Sequence, residues 1–211
     1  MTEVTKSPFG TMPDGRAIEL YTLRNARGTT VAVTTYGARL VSSTREVNGT
    51  PIDIVLGYRS GADYLRDTTS MGGVVGRHAN RIADGRVTIG GHTYQLEQNS
   101  GSRKQNHIHG GAHGLHTHLF DADIVHDGVR FTTVSPDGTG GFPGNLEVKV
   151  TYTLTGDDAL SIRYEAVSDA ETICNITNHS YFNLEGCTAP SILDHTAEIY
   201  ADTFTWADAE S

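Results

Sequence analysis

The amino-acid sequence predicts an all-β protein, one large antiparallel β-sandwich. Apolar and polar residues alternate along most of the chain, the period of a strand that turns one face to a core. Turn-forming residues, many of the 24 glycines among them, break that alternation at short intervals and without a collagen-like period. No segment sustains a helical period beyond a single turn near "SGADYLRD", Ser60 to Asp67. Many short strands joined by hairpins close most simply as two packed antiparallel sheets.

Taken along the chain, "AIELYTLR" (17–24) follows the turn signal Asp14-Gly15, and "TTVAVTTYG" (29–37) follows Gly28. "LVSSTREV" (40–47) ends at Asn48-Gly49, a pair that favours the tight turn between two strands. "VTIGGHTYQL" (87–96) reads as a hairpin closed on Gly90-Gly91, and "LFDADIVHDGVRFTTVS" (119–135) as another closed on Asp127-Gly128. The clearest pair is "LEVKVTYTLTGDDALSIRYEA" (146–166). Leu146, Val148, Val150, Tyr152 and Leu154 share one face, and Leu160, Ile162, Tyr164 and Ala166 repeat the pattern after Gly156-Asp157-Asp158. Extended alternation across Glu171 to Leu184 would put Cys174, Ile176, Phe182 and Leu184 in a core. Asn175, Thr177, His179, Tyr181 and Asn183 would then form a polar face, either a ligand groove or a solvated sheet surface carrying one ordinary histidine.

No linker, repeat or composition break divides the 211 residues, so residues 1–211 are expected to form a single domain. The formal net charge of −9, with no basic block, argues against nucleic acid or an anionic membrane as partner and leaves a neutral substrate unconstrained. Two cysteines, Cys174 and Cys187, do not frame a disulfide scaffold. "MTEVTKSPFG" lacks the features of a secretory leader and no apolar run reaches spanning length, which predicts a cytoplasmic location.

Three segments stand out as candidate sites. "VGRHANRIADG" places Arg77, Asn80 and Arg81 together, side chains able to grip vicinal hydroxyls or to form ordinary surface salt bridges. "NHIHGGAHGLHTH" holds His107, His109, His113, His116 and His118. That density suggests a cupin-like metal site, but no glutamate follows at the required spacing and Gly110-Gly111 breaks the strand, so a loop with one functional histidine is the better reading. "SPDGTGGFPG" (135–144) reads as a structural connection. Phosphate-binding and serine-hydrolase signatures do not occur.

"GRHANRIADG", "HIHGG", "SPDGTGGFPGNLEVKVTYTL" and "ITNHSYFNLEG", in that order, resemble the aldose 1-epimerases, specifically the galactose mutarotase type. "YGARLVSS", "DIVLGYRSGADYL" and "ILDHTAEIYADTFTW" match as well, so the resemblance runs over essentially the whole chain. It implies a galactose mutarotase-like β-sandwich with a sugar in an open groove on one sheet. It also implies interconversion of the α and β anomers of free aldohexoses, galactose or glucose, without metal or cofactor. Ring opening needs a base for the proton of the C1 hydroxyl and an acid for the ring oxygen, and histidine suits the second task. By motif, His179 is the proton donor and His109 binds and orients the sugar with a share in the acid role. Asn80 and Arg81 bind hydroxyls, and the stretch His179-Ser180-Tyr181 runs along the ligand. The resemblance gives His107, His113, His116 and His118 no role and leaves them at the surface.

The chain departs from the family at Phe120, where a tryptophan is usual, and in its end. The family's later strands fall beyond Ser211, and with them its catalytic glutamate base and a sugar-binding aspartate. None of Glu165, Glu171, Glu185 and Glu198 lies in the matching motif. The expectation is an incomplete domain that holds the acid half of the site and turns over poorly or not at all alone. A non-catalytic carbohydrate-binding module on the same scaffold is the alternative.

Overall fold

The structure, a computed structural model, describes residues 1–206; residues 207–211, the end of the expected domain, lie outside the described residues. Its first sheet is a meander of β1 (Glu3–Thr11), β2 (Ala17–Arg24), β3 (Thr30–Thr34), β4 (Arg39–Val47) and β5 (Thr50–Asp53), all antiparallel and in chain order. Val47 faces Thr50, so Asn48 and Gly49 alone make the turn, and both take left-handed backbone with φ of 52° and 79°. That is the geometry a two-residue hairpin demands. One helical turn, α1 (Gly61–Tyr64), follows the sheet, its entry capped by the Ser60 hydroxyl, which accepts from the Asp63 amide.

Three short ladders come next. β6 (Val74–Val75) and β7 (Arg81–Ile82) are two-residue strands, and β8 (Arg86–Ile89) pairs with β9 (His92–Gln95) across Gly90-Gly91 as predicted. β10 (His107–Ile108) pairs back onto β7. The second large sheet then runs β11 (Asp121–Val125), β12 (Gly128–Ser135), β13 (Leu146–Leu154) and β14 (Leu160–Ser168), again antiparallel in chain order.

The core lies between the two sheets. Tyr21, Leu23, Val31, Val33 and Leu40 from the first meet Val129, Phe131, Leu146, Val148, Val150, Tyr152 and Leu154 from the second in one buried cluster. Every alternate residue of β13 is buried, as its sequence pattern requires. Burying such side chains is worth about 1.5–3 kcal/mol each, which makes β13 the keel of the sandwich.

Two expectations need correcting. The β11–β12 hairpin closes on His126-Asp127, one residue earlier than Asp127-Gly128, because Val125 pairs with Gly128. Gly128 is a strand residue, glycine because a Cβ there would run into the Tyr152 carbonyl on β13. Glu171 to Leu184 is not a continuous strand either. Only Thr177–Asn178 forms a ladder, as β15 against β6, while Asn175 and Phe182 make single bridges to His78 and Val55. Phe182 is 51% and Leu184 66% exposed, Cys174 is exposed, and Asn183 is buried. The cause is local. The Asn178 side-chain oxygen accepts from the Ser180 amide, and that of Asn183 from the Glu185 amide, so two asparagine turns bend the backbone away from the period of two.

Candidate functional site

The asparagine that bends the chain also anchors it. Asn178 Nδ2 donates to the Tyr152 hydroxyl at 3.1 Å and to the Gly72 carbonyl at 2.9 Å. Tyr152 sits fully buried on β13, and its hydroxyl donates to the Ala38 carbonyl at 2.7 Å. The next residue, His179, is held by its backbone on both sides. Its N–H donates to the Gly73 carbonyl and its carbonyl accepts from the Gly72 N–H, at 2.8 and 3.0 Å. A chain of hydrogen bonds therefore links the core of the sandwich to the base of the His179 side chain.

His109 arrives from the opposite side. It follows β10 and opens a turn in which His109, Gly110 and Gly111 all have positive φ. A Cβ on Gly110 would overlap the Gly76 carbonyl, so the turn packs directly against the neighbouring backbone. The Asn80 N–H donates to His109 Nδ1 at 3.1 Å. That nitrogen must therefore be the acceptor of a neutral ring, with the proton on Nε2. Burial pushes the His109 pKa down to about 4, and the nearby His179 and Arg81 act in the same direction. At neutral pH His109 is a fixed, uncharged hydrogen-bond donor.

The two imidazoles meet at right angles, centroids 5.0 Å apart. Tyr181 lies against His179 at 5.2 Å, its hydroxyl donating to the Thr69 carbonyl at 3.3 Å. Both histidines line a cavity of about 380 Å³ together with Thr68, Thr69, Ser70, Asn99, Ile108, Gly111, Ala112 and His116. Its size falls in the range of small-molecule sites, roughly 300–1,000 Å³. Hydroxyl, amide and imidazole groups suit an uncharged, polyhydroxylated ligand. Among the described residues, none lining this cavity carries a carboxyl group.

Asn80 and Arg81 stand exposed behind His109 and not in the cavity wall. The Asn80 side-chain oxygen accepts from the Arg81 amide at 2.9 Å, and Arg81 Nε donates to the Ser100 hydroxyl. Ser180 also lies outside the wall, with its hydroxyl oxygen buried. Arg77 has a different function. It is 2% exposed, and its guanidinium donates to the carbonyls of Ser135, Pro136, Pro143 and Gly144 and to the hydroxyls of Ser135 and Thr172. It is the clamp of the 135–144 connection.

The remaining histidines are not the surface set expected for them. His107 is fully buried, its Nδ1 on the Glu97 carbonyl at 2.8 Å and its ring edge-on to Phe142. His118 is half-buried against the Thr133 hydroxyl, and of His107, His113, His116 and His118 only His113 is exposed. His116 lines the cavity, its pKa pushed down to about 4 by burial and then by Arg39. Sequence reasoning missed His116, Asn99 and the Thr68–Ser70 wall. The glycines at 110, 111 and 114 announced sharp turns but not which imidazole those turns would fold inward. Among the described residues no group of three or more His, Cys, Asp or Glu side chains is placed to hold a metal ion.

Residues 19–211 match the family model described as aldose 1-epimerase. The chain is 41% identical to the galactose mutarotase of Mus musculus over 99% of its own length and 60% of that protein's. It is 37% identical to the aldose 1-epimerase of Haemophilus influenzae, over 94% of this chain and 57% of that one. The crystal structure of galactose 1-epimerase from Lactobacillus acidophilus superposes with a TM-score of 0.76 at 33% identity, covering 88% of this chain and 54% of the other. The chain thus spans about 60% of the length of the curated relatives it matches.

Proposed function

The chain belongs to the aldose 1-epimerase family, and on that premise we propose that it takes a free aldohexose in the cavity lined by both His109 and His179 and provides the acid side of anomer interconversion. His179 delivers a proton to the ring oxygen as the C1–O5 bond opens. His109, neutral with its proton on Nε2, holds the sugar by donating to an oxygen beside it. Rotation about C1–C2 in the open aldehyde then allows closure to either anomer. Asn80, behind His109, holds its ring through the backbone N–H, and Tyr181 packs against His179. The observation that carries this reading is the perpendicular pair of imidazoles, in ring contact with centroids 5.0 Å apart, that together line one polar cavity.

Among the described residues the lining offers no carboxyl group, which favours a second reading, in which the chain holds the sugar without equilibrating its anomers. Ring opening still needs a group to take the C1 hydroxyl proton, and positioned acid–base groups are worth about 10²- to 10⁴-fold each. Polarimetry on freshly dissolved α-galactose or α-glucose, run beside calorimetric titration with the equilibrated sugar, separates the two. Faster decay of rotation with binding supports the enzyme; binding without acceleration supports the module. Neither binding nor acceleration overturns both.

A further inference from the structure

Arg39 and Asp67 form an ion pair in the interior, Nη1 to Oδ2 at 2.9 Å, with side chains 1% and 0% exposed. The guanidinium lies between the rings of Tyr36 and Tyr64, 5.2 and 5.1 Å from their centroids. Its Nη1 also donates to the Met71 carbonyl at 2.7 Å, and Nη2 donates to the His116 carbonyl at 3.1 Å. Asp67 accepts from the Thr69 amide and hydroxyl at 2.9 and 2.6 Å, and from the Met71 amide at 2.9 Å. Burial opposes the charged carboxylate, yet these donors and Arg39 together hold its pKa below the usual carboxylate range.

Such a pair adds little stability over apolar residues of the same volume, because desolvation consumes most of the Coulombic gain. This one also leaves Arg39 Nε buried without a partner among the described residues. What the pair does supply is direction. Apart from the pair itself, each of its hydrogen bonds lands on the 67–71 turn or on His116, the wall of the cavity. The same turn runs on into Gly72 and Gly73, which exchange backbone hydrogen bonds with His179. Resting on the sugar-cavity reading above, we propose that Arg39 and Asp67 are positioning residues: their ion pair fixes the Thr68–Gly73 wall and His116, and through Gly72 and Gly73 it sets the place of His179.

The test is a double substitution, Arg39→Met with Asp67→Leu, which replaces the pair by apolar groups and leaves no buried charge behind. Three things are measured on it and on the parent chain: the urea unfolding midpoint, amide exchange, and the affinity for galactose. A positioning role predicts a variant that still folds, with a midpoint lowered by the backbone groups of Thr69, Met71 and His116 that lose their partners, and exchange at Val148 and Val150 of β13 that rises no more than that loss accounts for. It predicts amides of Gly72 and His179 that exchange at least about tenfold faster, and galactose binding at least about tenfold weaker. Parent-like exchange at those two amides in a folded double variant overturns the proposal. Should the double variant fail to fold, Asp67→Asn is judged by the same amides, and unfolding of both variants overturns it as well. If the parent itself binds no galactose, the sugar reading fails, while the exchange data still decide the positioning role.

Discussion

His109 and His116 carry pKa values near 4, against 6.5 for a free imidazole, and both are lowered first by burial. His107 and His118 shift the same way. Between about pH 6.5 and 4 the unfolded chain therefore binds protons that the folded chain refuses, so stability falls as the pH drops through that window. Urea midpoints at pH 7.5, 6 and 5 should decline in that order, and the decline should flatten in the double variant His109→Gln/His116→Gln. The lowered carboxylates, Asp67 among them, lose their contribution only below the ordinary carboxylate range near 3.8 and leave this window clear. For the ligand, His109→Ala should weaken galactose binding at least about tenfold by titration, since it removes a cavity-lining donor whose tautomer the Asn80 amide dictates. Arg77→Ala should act on stability alone. It strands acceptors that now receive six hydrogen bonds, and a loss of roughly 3 kcal/mol or more in urea unfolding is expected.

Among the elements, β13 carries both the core and the support of the site. Tyr152→Phe keeps the buried ring but deletes the hydroxyl that receives Asn178 and reaches Ala38. It should cost about 1–3 kcal/mol and loosen the amide of His179 in exchange experiments more than those of β12. The turn after β10 is the more brittle device. Gly110→Ala forces a Cβ onto the Gly76 carbonyl in left-handed backbone, so galactose binding should be lost even where circular dichroism still reports the sheets. The elements also divide what alternation can and cannot tell. β13 reads correctly from its sequence because its two faces differ from end to end. The Glu171–Leu184 run imitates the same alternation, but Asn178 and Asn183 capture nearby amides and turn the chain. Gly128 misleads in the opposite sense, a glycine that marks close strand packing instead of a turn.

At the scale of the whole molecule, two sheets share one core while apolar side chains near the end of the described residues stay outside it. Leu193, Ile199, Tyr200, Phe204 and Trp206 are between 75% and 91% exposed. Trp206 is the only tryptophan in the chain, so tryptophan fluorescence, excited at wavelengths tyrosine does not absorb, reports on that region alone. Dilute protein should show emission typical of hydrated indole with full acrylamide quenching, and a blue shift as concentration rises would register these side chains covering one another. The sequence by itself determined the all-β class, most hairpins and the family, because alternation, paired turn residues and ordered motifs are local properties of the chain. It also singled out His109 and His179, through the motifs that carry them. Only the tertiary structure decided that these two rings face each other, that His116 joins them, and that Arg39 and Asp67 brace the wall between. Those relations join residues 28 to 77 positions apart, and the burial that lowers an imidazole's pKa or retains an ion pair exists only once the sheets have closed.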